Sequence, residues 1–517
     1  MVIDDQREVL AALSRPSTYG MAGSTVERID THSASVFLVG DRAYKLKRAV
    51  RYDYLDFSTA ARRKHCCEAE LALNARVAPA IYRRVVPLTR DGGTLVLDGH
   101  GPPVEWLLEM SRFDSEALGD RLAERHALGL PTMQALGHAV AVMHATAPVS
   151  RGRGGAAAMR WVIDGNAEAF ASFGDHLLPR ARHRVVTART RALVERLAAR
   201  LDQRASRGLV RQCHGDLHLR NVVLLDGRPT PFDAVEFNDA ISHIDVWYDV
   251  AFLLMDLWRR GLRRHANVVL NEYARATGDL DGLAVLPLFL ACRAAVRAKT
   301  SATAATLATT DEARASCAGT ARRYLELAES LLEPRPAALI AIGGFSGSGK
   351  STQAARLAPD LGPVPGALHL RSDIIRKDMF GVPASDSLPA AAYAPDVGVR
   401  VYAQLAELAA GALAAGHAVA CDAVYADAAA RAAIAAVAAR AGVPFAAVWL
   451  EAPDATLLSR VTARRHDVSD ADAGVVRRQL TEAQPPADWT HLDATADAEA
   501  TQGRLRAALA GRGIAVS

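Results

Sequence analysis

The sequence predicts two domains of different class. The first, about residues 1–335, is α+β, with a small antiparallel sheet followed by a mostly helical lobe; the second, 337–517, is α/β with a parallel sheet. Three observations predict this. Short alternating strand-like runs with tight turns fill the first ~112 residues and then give way to helical periodicity. Glu333-Pro334-Arg335-Pro336 breaks the chain, because two prolines stop the preceding helix and stiffen the connector. Beyond it, strand-like and helix-like segments alternate to the C-terminus, the pattern of βαβ units.

Length and composition agree. A chain of 517 residues, 50% apolar and 23% charged, suits two or three globular domains. No apolar run reaches the ~18 residues of a membrane span. The opening Met1-Val2-Ile3-Asp4-Asp5-Gln6-Arg7-Glu8 lacks the basic-then-apolar order of a signal peptide. Six cysteines without C-x-x-C spacing suit reduced thiols in a cytoplasm rather than a disulfide framework or a zinc site. A net charge of +4 over this length points away from nucleic acid. Lysine is rare: only Lys45, Lys47, Lys64, Lys299, Lys350 and Lys377 stand among 61 basic residues. Such scarcity marks places that need a compact ammonium rather than a planar fork.

In chain order, residues 5–14 read as a short helix. Ser35 to Val39, Gly40-Asp41, and Arg42 to Lys47 read as a hairpin, with Lys45 and Lys47 on one face of its second strand. A helix follows from about Ser58, a plausible N-cap, to Arg76. On it Glu70 shares a face with Cys66, Leu73 and Val77, whereas Glu68 lies with Lys64 on a wetter one. Glu70 is therefore preferred as the inward-facing carboxylate. Strand-like runs at 81–86, 94–98 and 104–110 complete a small lobe, about 1–112, and a helical lobe occupies about 113–335.

Inside that lobe lies His214-Gly215-Asp216-Leu217-His218-Leu219-Arg220-Asn221, leading into the apolar run Val222 to Leu225. Asp226-Gly227 then predicts a tight hairpin turn, which folds Arg228 to Asp233 back along the first run. Asp216, Asn221 and Asp233 would converge at one end of this hairpin. An acid on a loop beside an Asn/Asp pair for a hard cation is equipment for metal-assisted phosphoryl transfer. Asp249, in the first turn of the next helix, reads as a structural brace. Arg293 and Arg297 share one face of a helix rich in Ala and Leu, where charges need partners.

The His-x-Asp-x-x-x-x-Asn spacing matches the protein-kinase catalytic loop, with Gly215 where Arg is usual. The His-Gly-Asp variant resembles the aminoglycoside-phosphotransferase branch of the kinase-like fold. The resemblance implies Asp216 as the base toward an acceptor hydroxyl, and Asn221 and Asp233 as holders of Mg²⁺ on ATP. It implies Lys45, with Lys47 second, on the α/β-phosphates, since Ala43-Tyr44-Lys45 resembles the kinase Val-Ala-Ile-Lys element, and Glu70 as its partner. It also puts adenine against backbone near Glu109 to Ser111. No glycine-rich loop precedes the lysine; Thr31-His32-Ser33-Ala34-Ser35 stands there, and its contacts are left unassigned.

The second domain opens with the strand Ala338 to Gly343, then Gly344-Phe345-Ser346-Gly347-Ser348-Gly349-Lys350-Ser351, then a helix from Thr352. This is G-x-x-x-x-G-K-[ST] between strand and helix, the context the phosphate-binding loop requires. Gly344, Gly347 and Gly349 let backbone N–H groups wrap phosphates, with Thr352 at the helix start beside them. Lys350 reaches the β/γ-phosphates in this reading and Ser351 ligates Mg²⁺. Strands are expected near 367–370, 417–421 and 445–450. Asp373 follows the first, where ligands bind in such sheets, and Asp422 ends the second, placed to act on Mg²⁺ through water. Arg460 and Arg464 lie one turn apart on a later helix, with Arg465 beside them. This arrangement resembles the small P-loop kinases related to gluconate kinase, zeta toxin and polynucleotide kinase. The resemblance implies acceptor contact by Asp373 and a phosphate clamp by Arg460 and Arg464.

Together these resemblances imply a fusion of an aminoglycoside-phosphotransferase-like domain with a P-loop ATP-binding domain, a small-molecule kinase using ATP and Mg²⁺. The expected partners are small-molecule hydroxyl acceptors, with no membrane. Glu236, Asp239 and Asp245 could make an acidic pocket for a cationic acceptor, whereas Arg293, Arg297 and Lys299 would favour an anionic one. Two rival readings stay open for the second domain: an ATP-driven switch regulating the first, or a kinase of nucleic-acid ends, which would need an aromatic-bearing groove beyond Trp449 and Trp489.

Overall fold

The computed structural model describes residues 5–21, 23–52, 55–463 and 468–516. By contact the chain divides into two compact units, one running up to Gly165 together with Arg191–Asp256, the other formed by Asn166–Thr190 and the chain from Leu257 on. The proline-bearing junction at 334–336 lies inside the second unit.

The first unit is built on a six-stranded antiparallel sheet. Its strands are β1 (Val26–Asp30), β2 (Ala34–Val39), β3 (Arg42–Lys47), β6 (Tyr82–Asp91), β7 (Thr94–Leu97) and β8 (Pro103–Ser111), in the order β1-β2-β3-β8-β6-β7; a two-residue pair, β4 (Arg51–Tyr52) and β5 (Leu55–Asp56), lies between β3 and β6 in sequence. The predicted hairpin at Gly40-Asp41 is β2–β3, paired from Val39↔Arg42 to Ala34↔Lys47. One face of the sheet buries Phe37, Tyr44, Leu46, Val86, Leu88 and Leu107 with Val9, Ala12 and Leu13 of the helix Arg7–Leu13. Alternation sends Lys45 and Lys47 to the other face, toward the helix Ala60–Asn74. That helix is capped by Thr59, whose side chain accepts from Arg62 N–H, and not by Ser58 as expected. Strand β1 was not legible in its sequence, because Val26-Glu27-Arg28-Ile29-Asp30 is largely exposed and shows no apolar alternation.

The rest of this unit delivers the loop. Strands β9 (Val210–Gln212) and β12 (His243–Asp245) pair antiparallel and bracket it. Between them, β10 (Val222–Leu225) and β11 (Arg228–Pro231) form the predicted hairpin, with Leu225↔Arg228 closing the turn. Asp226 and Gly227 have φ of 48° and 78°, the two positive values that an Asp-Gly hairpin turn requires.

In the second unit, the helices Leu286–Leu307 and Asp311–Ser330 pack along each other. Five parallel strands follow: β13 (Leu339–Gly343), β14 (Leu368–Arg371), β15 (Val419–Asp422), β16 (Phe445–Glu451) and β17 (Thr490–Asp493), in the order β14-β15-β13-β16-β17. Its core joins Ile340, Ile342, Val448 and Leu450 to Leu357, Leu505 and Leu509 from flanking helices. Strand β13 is central, with β14 and β15 on one side and β16 and β17 on the other, so its carboxyl end is the crevice where such sheets bind ligands. The fold is therefore α+β ahead of a parallel α/β sheet, as the sequence predicts.

Candidate active sites

In the first unit, five residues from β3, the helix Ala60–Asn74 and the segment after β11 meet in a largely buried ion cluster. Lys45 Nζ lies 2.7 Å from Glu70 Oε1 and 2.6 Å from Asp233 Oδ1. Lys47 Nζ takes the other Glu70 oxygen at 2.7 Å and also contacts Glu236. The sequence left Lys45 and Lys47 as alternatives; the structure puts both on one carboxylate. Burial alone would push Glu70 up, but the two ammoniums outweigh it and hold the carboxyl at about 2. Burial pushes Glu236 up despite Lys47. Glu68 stays on the surface, 3.7 Å from Lys64.

The loop His214–Asn221 is held from below and from the side. Asp249, fully buried, accepts the N–H groups of His214 (3.0 Å) and Gly215 (2.9 Å), and His144 Nε2 lies 3.0 Å from it. This is the bracing place expected for Asp249. Gly215 has φ +82°, and a Cβ there would come within 3.1 Å of Ile241 O and 3.2 Å of Val235 Cβ, so neither Arg nor any other side chain fits easily. His214 Nε2 bonds Phe232 O at 2.8 Å while Nδ1 accepts Asp216 N–H at 3.3 Å, which fixes one neutral tautomer; burial lowers its pKa. Asp216 is left with a side chain 40% exposed. Its Oδ2 receives Asn221 Nδ2 at 3.1 Å and lies 3.4 Å from His218 Nε2. Phe232 N–H donates to Asn221 O at 3.0 Å, so the hairpin ladder runs on and sets Asp233 next to it. Asp233 takes φ +63°, held by its N–H on the Tyr82 hydroxyl (2.9 Å) and by Ala234 N–H on Asn74 Oδ1 (2.8 Å).

The donor set fits a hard cation. Asn221 uses its amide N–H groups on Asp216, which leaves its oxygen, and Asp233 offers a half-exposed carboxylate. Tyr82 and Asn74 were missed in the sequence, since nothing local marks a residue whose partner is 151 or 160 positions away. At the backbone expected to meet adenine, β8 is laddered to β3 and β6 through Glu109 and Met110, and the N–H groups of Ser111 and Arg112 go to Ile81 O and Asp41 O.

The acidic pocket suggested by Glu236, Asp239 and Asp245 does not form. Glu236 is on Lys47, Asp239 is 2.8 Å from Arg153, and Asp245 is gripped by the buried Arg204 at 2.8 and 3.0 Å. Each carboxylate already has its cation. Within the second unit, Arg293 is buried in its helix and Arg297 lies over the Tyr324 ring at 5.6 Å.

The second unit holds the other constellation. Gly344 has φ +142° and Gly347 φ +90°; a Cβ on either would meet backbone at 2.7 Å (Leu450 O) or 2.6 Å (Leu457 O). Gly349, at φ +89°, opens the helix Lys350–Leu357 with nothing within 4 Å of where a Cβ would be. The loop is thus a cradle with one open side, which fits a phosphate. Lys350 Nζ rests on Phe345 O at 3.1 Å, and Thr352 sits exposed in the first turn. Ser346 N–H is held by Gln479 Oε1 at 2.9 Å, a residue the sequence did not flag.

Asp422, buried at the end of β15, neighbours the Ser351 hydroxyl and lies 2.9 Å from His369 Nε2. Burial pushes its carboxyl up, but His369, Arg371 and Ser351 outweigh that and hold it at about 2. A hydroxyl beside a carboxylate whose pKa is held low is a hard-oxygen pair that fits Mg²⁺. Asp373 lies in the first turn of the helix Ser372–Met379, near Tyr393 and Tyr402. The Arg460 guanidinium donates to the carbonyls of Ala494 (2.8 Å), Thr495 (3.1 Å) and Ala496 (3.3 Å). The resemblance implies a clamp; here the chain after β17 passes within its reach and offers three acceptors. Arg464 and Arg465 lie outside the described residues.

Comparison with known proteins follows these two constellations. Residues 28–286 match the phosphotransferase enzyme family and residues 339–486 match an AAA domain. Uncharacterized proteins of Mycobacterium tuberculosis (strain H37Rv) and Mycobacterium bovis are each 29% identical over 483 residues, covering 89% of this chain and 90% of the relative. Among solved structures, a choline/ethanolamine kinase family protein from Mesorhizobium loti is 14% identical, covering 62% of this chain and 99% of that one, with a TM-score of 0.36. A gluconokinase from Sinorhizobium meliloti 1021 is 21% identical, covering 35% of this chain and 99% of that one, with a TM-score of 0.25. The first match spans half of the chain and contains Lys45, Glu70, Asp216, Asn221 and Asp233, so the protein belongs to the phosphotransferase enzyme family.

Proposed function

We propose that the protein is an ATP-dependent phosphotransferase with two nucleotide sites, each moving the γ-phosphoryl group of MgATP to a hydroxyl of a small molecule. The observation that supports it most is Lys45, whose ammonium is shared by Glu70 and Asp233 from a strand, a helix and a hairpin. Such a cation is fixed for a phosphate on one side and for a metal-binding carboxylate on the other. Lys45 is the phosphate holder in this reading; Lys47, almost wholly buried between Glu70 and Glu236, keeps Glu70 in place.

Bound Mg²⁺ would neutralise phosphate charge, with Asn221 and Asp233 holding it in the first site and Ser351 and Asp422 in the second. The chain supplies the rest. Asp216, on a loop braced by Asp249, accepts the proton of the acceptor hydroxyl. In the second site Lys350 and the loop N–H groups orient the phosphates, and Asp373 faces the acceptor.

A second reading has its own support: the C-terminal domain as a nucleotide-driven switch without an acceptor. Arg460, expected to clamp the transferring phosphate, is held by carbonyls 494–496 instead. The nucleic-acid-end reading loses its aromatic support, because Trp449 and Trp489 are both buried, packed against Gly343.

The test is a ³¹P-detected screen of metabolites and antibiotics with MgATP on wild type, Asp216→Asn and Lys350→Ala. Phosphorylated products lost separately in the two variants support two kinase sites. ATP hydrolysis that only Lys350→Ala removes, with no product from that site, supports the switch. No product in any case counts against the phosphotransferase reading.

A further inference from the structure

Strand β14 is the edge of the parallel sheet. An edge strand presents unpaired N–H and C=O groups that a protein must cover or pair. Here the cover is the helix Arg263–Thr277, which belongs to the stretch matched by the phosphotransferase family. Leu368 N–H turns inward to Ala418 O, so the backbone groups of residues 367 and 369 point outward. Asn271 meets both: its Oδ1 accepts His369 N–H at 2.7 Å and its Nδ2 approaches Ala367 O at 3.3 Å. One carboxamide thus stands in for a peptide unit of a missing neighbour strand. Asn267, buried, adds hydrogen bonds to Ala367 O (2.9 Å) and Pro365 O (3.2 Å). Ion pairs flank the seam, Arg275 with Asp378 at 2.7 Å and Arg263 with Asp360 at 3.4 Å.

The residue Asn271 grips by its backbone is the one whose side chain reaches Asp422. His369 Nε2 lies 2.9 Å from Asp422 Oδ2, and the Ser351 hydroxyl neighbours the same carboxylate. Hydrogen bonds therefore link Asn271 to His369 and His369 to Asp422, the carboxylate that neighbours Ser351 of the phosphate loop. Groups behind a metal-binding carboxylate fix its direction, and losing one typically costs ~10–100-fold in metal affinity.

We propose that His369 positions Asp422 for the divalent cation of the phosphate loop, and that Asn271 positions His369 by holding the edge strand. The metal site of the C-terminal domain is then completed by a helix from the phosphotransferase-family stretch. The proposal rests on the reading of Ser351 and Asp422 as the cation-binding pair.

The test is calorimetric titration of the full chain with ADP, with and without MgCl₂, in an Asp233→Ala background that weakens Mg²⁺-dependent binding at the first site. Lys350→Ala identifies which binding belongs to the loop. His369→Leu is expected to raise the Mg²⁺ needed for half-maximal tightening about tenfold while metal-free ADP affinity holds. His369→Gln, which keeps an N–H donor near the Nε2 position, should recover most of that loss. Asn271→Leu should shift the Mg²⁺ requirement the same way by about threefold, being one step further out. An unchanged Mg²⁺ requirement in His369→Leu overturns the proposal, as does an equal loss of metal-free ADP binding, or His369→Gln behaving like His369→Leu. Wild-type ADP binding that is sensitive to Lys350→Ala yet indifferent to Mg²⁺ would instead remove the cation-pair reading, and this proposal with it.

Discussion

Lys45 Nζ lies 2.7 Å from Glu70 Oε1, and the second oxygen of that carboxylate holds Lys47 at the same distance. One buried anion therefore anchors two cations of β3, Lys47 buried and Lys45 partly so. Removing it leaves both ammoniums undercompensated, so Glu70→Gln should destabilise the first unit by about 3–5 kcal/mol at neutral pH. The folded pKa of Glu70 is depressed from 4.5 to about 2. Its contribution is thus fully present above the unfolded value and is lost as pH falls through the folded one. Urea unfolding at a series of pH values should show the gap between wild type and Glu70→Gln closing from pH ~4.5 toward ~2. A gap independent of pH would mean that the carboxylate is not what holds the lysines.

Asp216 has a partly exposed carboxylate on a loop whose backbone is fixed by Asp249. As the base, its change to Asn should lower turnover at the first site roughly 10²–10⁴-fold with little change in nucleotide affinity. Steady-state kinetics with the acceptor found by the ³¹P screen decide this, and wild-type turnover in the variant removes the assignment.

Asn221 and Asp233 are joined through Phe232, whose N–H bonds Asn221 O. If they share one Mg²⁺, Asp233→Ala and Asn221→Ala should each weaken Mg²⁺-dependent ATP binding, and the double variant should cost less than the sum. Strict additivity in calorimetry would show that no ion is shared.

Gly215 must adopt φ +82° beside Ile241 O and Val235. Gly215→Ala should cost about 1–2 kcal/mol from the left-handed backbone alone, and it should lower turnover by moving Asp216. Thermal unfolding together with kinetics checks both; a variant as stable and as active as wild type would mean that the loop relaxes freely.

The chain beyond the prolines contains the whole phosphate loop, but the cover of β14 comes from before them. A fragment of residues 337–517 should therefore be less stable and more prone to associate through β14 than the full chain. Sedimentation and thermal unfolding of the fragment and of its Asp378→Ala variant test this. A monodisperse fragment as stable as the full chain would show that the helix is a passive neighbour.

The sequence by itself determined whatever is written in local stereochemistry. Asp226-Gly227 fixed the hairpin, and with it the placing of Asp233 beside Asn221, because few other dipeptides accept two positive φ values. Gly344 to Ser351 fixed the phosphate cradle, because its backbone path excludes Cβ atoms. The period of 3.6 residues singled out Glu70 over Glu68. Tertiary structure alone decided the partners: that Lys45 and Lys47 divide one carboxylate, that Arg460 serves three carbonyls, that Glu236, Asp239 and Asp245 are each neutralised, and that Asn271 closes a sheet edge 98 residues away. The reason is physical. A local motif constrains the backbone that carries a side chain, whereas the free energy of a buried charge or an open edge strand depends on whatever the distant chain brings against it.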